Sequence, residues 1–164
     1  MCKQDCGSHK KKDFGLYGER RATLLQMLKD RNPTAAPGVV LFIADFEREK
    51  VRFRQESSFY YMTGIEEPAT MLMLDQESGT STLYIPDFGK ERAKWVQSEV
   101  DIHAGPLLGI DTIAYAGNPC KGYQCHPFFT GDEYTHVLKK LQDCLTQKRP
   151  IRSEEHTSEL QSQR

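Results

Sequence analysis

No stretch of this 164-residue chain approaches the ~18 uninterrupted apolar residues of a membrane-crossing helix. The opening run, MCKQDCGSHKKKDFG, lacks the apolar centre of a secretory signal. It carries lysine without arginine and shows no amphipathic period, which argues against a mitochondrial presequence. An excess of charge of one sign is also missing. Lys and Arg number 22 against 23 Asp and Glu, a net charge of −1, so neither nucleic acid nor an anionic membrane is the expected main partner. Cysteine is present but odd in number: Cys2, Cys6, Cys120, Cys125 and Cys144. Without a secretory signal these read as free thiols in a reducing compartment, and the expected location is cytoplasmic. Cys2/Cys6/His9 and Cys120/Cys125/His126 invite a metal reading, but neither forms the paired C-x2-C knuckles of a zinc site. Unligated thiols are the simpler expectation.

Familiar catalytic motifs are absent as well. The chain has no G-x-S-x-G elbow, no H-E-x-x-H and no phosphate-cradling G-x-x-x-x-G-K. Asp13-Phe14-Gly15 and Asp87-Phe88-Gly89 both spell a kinase tripeptide, yet no Gly-rich loop or H-R-D accompanies them, so both read as turns. His9, His103, His126, His136 and His156 are scattered, each read as a solvated or loop residue.

What is present is the material of one α/β domain. Residues 1–13 read as a frayed basic arm and 14–151 as the domain. A helix is expected from Leu16 to Asp30, with Leu24, Met27 and Leu28 on one face. The run Val39 to Ala44 is continuously apolar, as for a strand covered on both faces. Thr70 to Leu74 and Ser81 to Ile85 are two further strands around a hairpin loop that ends in Gly79. A helix carrying Trp95 is expected from Lys90 to Val100, and another strand from Thr112 to Ala116. A long loop spans Gly117 to Pro127. Thr130 and Glu133 then fit a capping box before an apolar stripe of Tyr134, Val137, Leu138, Leu141 and Leu145. The final run, residues 152–164, changes character and resembles the translation of a sequencing-adapter oligonucleotide. It is expected not to be native, with the gene interrupted near Ile151. The apparent metal cluster of Glu154, Glu155, His156 and Glu159 falls inside that run.

The most individual segment is FRQESSFYYMTG, residues 53–64. A nucleophile at Ser57 or Ser58 would need a base, and no histidine stands near in sequence. The structural reading is simpler. A serine caps a short turn or helix, Phe59 and Tyr61 enter the core, Gly64 closes the turn, and Arg54 pairs with a carboxylate or with carbonyls at the sheet end.

Extended through Glu67 and on to Trp95, the segment resembles the N-terminal domain of the Xaa-Pro peptidases, the aminopeptidase P and prolidase group. The ordered matches are Arg54, Gln55, Ser57, Phe59, Tyr61, Thr63, Gly64, Glu67, Pro68, Pro86 and Trp95, over about Val39 to Val100. Ser58 departs from the Asp usual in aminopeptidase P. FRQES with S-G-x-S-T-L is also prolidase-like, whereas Tyr-Tyr-Met-Thr-Gly is closer to aminopeptidase P. The resemblance implies a mixed β-sheet flanked by helices, of the creatinase, ribonuclease H-like type, with its C-terminal part missing. It implies that these signature residues are structural and that none of them is catalytic. Catalysis would belong to a following pita-bread domain, where two Asp, one His and two Glu hold two Mn²⁺ ions, and no ligand of that kind is matched in this chain. It implies a parent enzyme that releases the residue preceding proline, acts on proline-containing peptides, and assembles as a homo-oligomer. Trp95 would line the substrate pocket or, alternatively, pack on its own helix. A free-standing binding or assembly module is the reading from another class.

Overall fold

The computed structural model describes residues 13–48, 51–88, 92, 94, 98, 100–122, 124–125 and 131–153. Helix α1, Phe14–Arg31, is capped by the Asp13 carboxylate, which accepts the Gly15 N–H at 3.0 Å. Strand β1 is Val39–Ile43, helix α2 Ser57–Thr63, strand β2 Met71–Asp75 and strand β3 Ser81–Ile85. A four-residue helix α3, Gly105–Leu108, precedes strand β4, Thr112–Tyr115. A 3-10 turn, Asp132–Tyr134, leads into helix α4, Thr135–Thr146, and strand β5 is Ile151–Ser153.

The strands form one mixed sheet in the order β4-β3-β2-β1-β5. The hairpin β2–β3 and the pair β1–β2 are antiparallel, with Leu72 opposite Leu83 and Leu41 opposite Met73. The flanking pairs β3–β4 and β1–β5 are parallel. Successive side chains of a strand point to opposite faces, so the continuous apolar runs divide into two cores. Val40, Phe42, Leu72, Leu74, Leu83 and Ile85 face Phe59, Met62 and Ile65 beneath α1 and α2. Val39, Leu41, Met71, Met73 and Tyr84 face Tyr134, Val137 and Cys144 on the other side. A sheet covered on both faces explains why β1 and β2 read as unbroken hydrophobic runs rather than alternating ones.

Both helical stripes differ from the sequence reading. On α1 the residues packed against the core are Leu24, Leu25 and Leu28, with Arg21 buried among them, while Met27 is exposed. On α4 the line facing the core is Val137, the half-buried Leu141 and Cys144, continuing Tyr134 of the 3-10 turn, and Leu138 and Leu145 are exposed. Spacings of three, four and three keep that line on one narrow face, whereas Leu138 and Leu145 lie on the neighbouring ridge. A 3-10 turn leads into α4, and the capping box expected of Thr130 and Glu133 falls on Thr130, outside the described residues. Gly117 sits against that turn, where a Cβ would meet the Glu133 and Thr135 backbone at 2.4 and 2.5 Å.

The expected helix from Lys90 to Val100, with Trp95, falls largely outside the described residues; of its ends, Arg92 and Val100 are buried. Arg152 and Ser153, set aside with the adapter-like run, pair in β5, where Arg152 stands opposite Val40. The ladder uses backbone groups, so such pairing is available to any side chains that tolerate an edge. Residues 154–164 lie outside the described set.

Candidate functional site

The signature segment is built around one short helix held at both ends. At its start the Glu56 carboxylate accepts the N–H of Ser58 at 3.0 Å and of Phe59 at 2.6 Å. A carboxylate there satisfies two orphan donors and sits at the positive end of the helix dipole. The cap is therefore Glu56, and Ser57 stands exposed as the first helical residue. At its end Gly64 takes the left-handed conformation, φ 69°, and its N–H donates to the Tyr60 carbonyl at 2.7 Å. A side chain at Gly64 would also collide with the Tyr17 ring, 2.4 Å from the position of a Cβ. Glycine is required there twice over, by conformation and by space.

Of the aromatics, Phe59 is fully buried, but Tyr61 is 53% exposed, and Met62 enters the core in its place. At about 100° per residue, positions 59, 62 and 63 share one face and position 61 points away. Tyr61 instead carries the Arg20 guanidinium over its ring, 4.1 Å from the centroid. Thr63 is buried, donates to the Phe59 carbonyl at 2.8 Å and accepts the Ile65 N–H at 3.1 Å.

Gln55 ties this helix to the sheet. Its Oε1 accepts the N–H groups of Asp45 and Glu56, each at 2.9 Å. Its Nε2 donates to the carbonyls of Ile65 at 3.2 Å and Glu67 at 3.0 Å. All four hydrogen-bonding capacities of the amide are used, so no other residue type substitutes fully. The Glu67 carbonyl also accepts the Thr70 hydroxyl at 2.9 Å, and Glu67 and Pro68 are both buried in the turn entering β2. Ala69, the next residue, adopts φ 57° while its N–H reaches the Asp45 carbonyl at 3.0 Å.

Arg54 is the arginine expected to pair here with a carboxylate or with carbonyls at the sheet end. Arg54 is exposed, and that work is done from α1. Arg20 donates to the Tyr61 carbonyl at 2.9 Å, and the buried Arg21 donates to the carbonyls of Met62, at 2.8 Å, and of Gly109. Burial lowers the Arg21 pKa, opposed by the charge of Asp111. Asp111 accepts both the hydroxyl and the N–H of Ser81, at 2.6 and 2.7 Å, and these bonds hold its carboxyl below the usual range. Periodicity could not have found Arg21, since a charge on the buried face of an amphipathic helix contradicts the pattern used to find the helix.

Beside Glu67, at the end of β3, lies a cavity of about 150 Å³ lined in part by Pro86, Asp87, Phe88, Arg92, Val100 and Tyr115. Arg92 is buried, paired with Glu47 at 2.7 Å, and stacked over Phe88 at 4.1 Å. Trp95, the expected pocket residue, lies outside the described residues. The two described histidines are exposed, and His136 Nδ1 lies 3.2 Å from the Tyr115 carbonyl oxygen. Neither activates Ser57 or Ser58. Among the described residues, no three His, Cys, Asp or Glu side chains converge to hold a metal ion. Cys120, Cys125 and Cys144 are free and buried, while Cys2, Cys6, His9 and His126 lie outside the described set. What the segment can do chemically is position backbone: Gln55, Glu56 and Thr63 are turned to caps, turns and strand entries, while Arg54 and Ser57 stand exposed.

A family profile described as "Aminopeptidase P, N-terminal domain" matches residues 17–116. A probable Xaa-Pro aminopeptidase of Penicillium rubens is 46% identical over 112 residues, covering 60% of this chain and 22% of that protein. A probable Xaa-Pro aminopeptidase of Aspergillus flavus is 42% identical over 59 residues, covering 36% of this chain and 10% of that protein. Among solved structures, proline aminopeptidase P II from Yersinia pestis aligns with a TM-score of 0.55 at 19% identity, covering 87% of this chain and 37% of the other. Icp55 from Saccharomyces cerevisiae aligns with a TM-score of 0.56 at 16% identity, covering 85% and 29%. These structural likenesses carry the fold, and the chain spans well under half the length of each protein named.

Proposed function

Since the chain belongs to the aminopeptidase P N-terminal domain family, we propose that it is the accessory domain of a Xaa-Pro aminopeptidase that releases the residue preceding proline. The bond before proline defeats ordinary aminopeptidases because the imide nitrogen has no hydrogen and its φ is locked. The observation that carries the reading is the use made of the signature residues. Gln55, Glu56, Phe59, Thr63 and Gly64 are all committed to holding α2 on the sheet. Nothing in that arrangement pairs a nucleophile with a base.

The parent enzyme is proposed to be manganese-dependent, with its two Mn²⁺ ions in a domain that follows this one. Hard carboxylate-rich sites suit that ion. The described residues of this chain do not fit such a site, since no set of ligating side chains converges among them. No step is therefore assigned to them. Proline-containing peptides, a homo-oligomeric assembly in the cytoplasm and a substrate-lining place for Trp95 belong to the same proposal. Among the described residues no helix is long and apolar enough to cross a membrane.

The test is hydrolysis of a fluorogenic Xaa-Pro peptide by the purified 164-residue chain and by the full-length parent, each with and without Mn²⁺. The expected result is no cleavage by the short chain and Mn²⁺-stimulated cleavage by the parent. Cleavage by the short chain overturns the accessory role, and a metal-indifferent parent overturns the manganese reading.

A further inference from the structure

We propose that Cys120 and Cys125 are a site of reversible disulfide formation, closing a clasp across the loop that leaves β4. Their Sγ atoms stand 2.9 Å apart, and both residues are buried in the core on the α4 side of the sheet. The loop is anchored before oxidation. The Cys120 N–H donates to the Asp87 carbonyl at 2.9 Å, fixing the first sulfur beside the end of β3, and the fully buried Tyr134 forms part of the same cluster. Among the described residues no second pair of thiols stands at this range.

The separation discriminates between two fates of a thiol pair. Two thiolates sharing a tetrahedral zinc, with bonds of about 2.3 Å, are held roughly 3.8 Å apart. A disulfide needs about 2.05 Å. At 2.9 Å the two sulfurs are in direct contact, closer to the disulfide separation than two ligands of one zinc would stand. The two thiols are also unequal. The hydrogen bond with Cys125 holds the Cys120 thiol below its ordinary pKa, against burial and the nearby charges of Glu133 and Asp87 and with help from Arg92. The same bond, with burial, pushes Cys125 up. Either thiol can donate to the other. Cys120, anchored through its N–H on Asp87, is taken as the attacking sulfur and Cys125 as the one that resolves, both reached through their residual exposure.

With hydrogen peroxide as oxidant the chemistry balances. The Cys120 thiolate attacks one peroxide oxygen, the O–O bond breaks, and hydroxide leaves and takes a proton to become water. The resulting Cys120 sulfenic acid is attacked at sulfur by Cys125. The S–O bond breaks, a second water departs with the Cys125 proton, and the S–S bond forms. The two sulfurs lose two electrons, and one peroxide becomes two waters. A ring this small removes less chain entropy than a long one would, so the bond acts chiefly as a local clasp. Asp87, which receives the Cys120 N–H, also lines the cavity at the end of β3, so the clasp fixes one wall of that cavity.

The test treats the 164-residue chain with a modest excess of hydrogen peroxide, blocks remaining thiols with iodoacetamide, and maps peptides by mass spectrometry. The expected product has lost the mass of two hydrogens, links Cys120 to Cys125 ahead of any other pair, and regains both thiols with dithiothreitol. Cys144 remains alkylatable after unfolding. Oxidation in guanidinium lets Cys2–Cys6, spaced as closely in sequence, compete on equal terms, because only the fold favours the Cys120–Cys125 pair over that one. In Cys125→Ser the cross-link disappears and Cys120 is trapped by dimedone as sulfenic acid. A dominant Cys2–Cys6 or intermolecular bond overturns the proposal. So does survival of both thiols in the wild type, or stoichiometric zinc that is lost in Cys120→Ser.

Discussion

On the face beneath α1 and α2 the core is phenylalanine and branched aliphatic residues with Met62, and directed polar clamps surround it; on the opposite face valine and leucine share the core with two methionines, two tyrosines and three cysteines. The first face orders α2 through Gln55, Glu56 and Arg21, each bonded at fixed distances to backbone groups. The second packs with side chains that are soft and adaptable, and the reactive thiols lie there. Its polar contacts include Arg149 on Asp75 at 2.6 Å and the buried Arg92, paired with Glu47 at 2.7 Å and stacked on Phe88. The difference teaches where a recognisable motif arises. A clamp that must satisfy particular backbone groups tolerates one residue type, whereas a soft core tolerates many of similar volume.

The comparison breaks most visibly at Phe59. Phe59→Ala removes a fully buried ring from the clamped face and is expected to cost about 3–5 kcal/mol in urea unfolding. A loss under 1 kcal/mol would mean that this face is as yielding as the other. Gln55→Ala leaves two N–H groups and two carbonyls without their amide, and a loss of about 2–3 kcal/mol is expected. Hydrogen exchange should quicken in α2 and at Asp45 while α4 keeps its protection. Met73→Leu on the soft face conserves volume and is expected to shift stability by less than about 1 kcal/mol. A larger loss would show that face to be shape-specific after all.

The smallest effect is electrostatic and touches both faces. Hydrogen bonds from Ser81 hold the Asp111 carboxyl low, and although burial raises that of Asp75, bonds from Arg149, Glu77 and Ser78 outweigh it. A carboxyl whose folded pKa lies below its unfolded value stabilises fully above that unfolded value, about 4, and loses the contribution as pH falls through the folded one. Asp111 is exposed and Asp75 partly buried, with solvent reaching both, so the effect is screened and modest. The urea midpoint should hold from neutral pH to about 5 and decline below about 4. Asp111→Asn should flatten part of that decline, and an unchanged slope would remove Asp111 from the account.

Much of the fold was legible because burial on both faces leaves a mark in composition. Val39 to Ile43 and Met71 to Asp75 are continuous or near-continuous apolar runs, and the loop ending at Gly79 announced the hairpin. The segment 53–64 was legible as structure, and Gly64 closes it as expected. Its details were not. Glu56 took the cap from the serines, Met62 took the core place expected of Tyr61, and Arg21 took the carbonyls expected of Arg54. Each of these depends on which neighbour is close enough to bond, a distance that sequence spacing does not contain. The helix stripes shifted for a related reason. Leu138 and Cys144 are both apolar enough to be buried, and the position of the sheet chose Cys144.

By itself the sequence determined α1, β1, the short helix α2, the β2–β3 hairpin, β4 and α4 in their order, the two-sided sheet and the family signature, because those follow from local periodicity, turn residues and side-chain type; α3 and β5 left no such mark. Only the tertiary structure decided that β1 lies between β2 and β5, that Arg21 crosses from α1 to carbonyls beside α2 and α3, and that Cys120 and Cys125 meet. Those are choices among partners, made by backbone pairing and close packing between segments that the chain itself keeps apart.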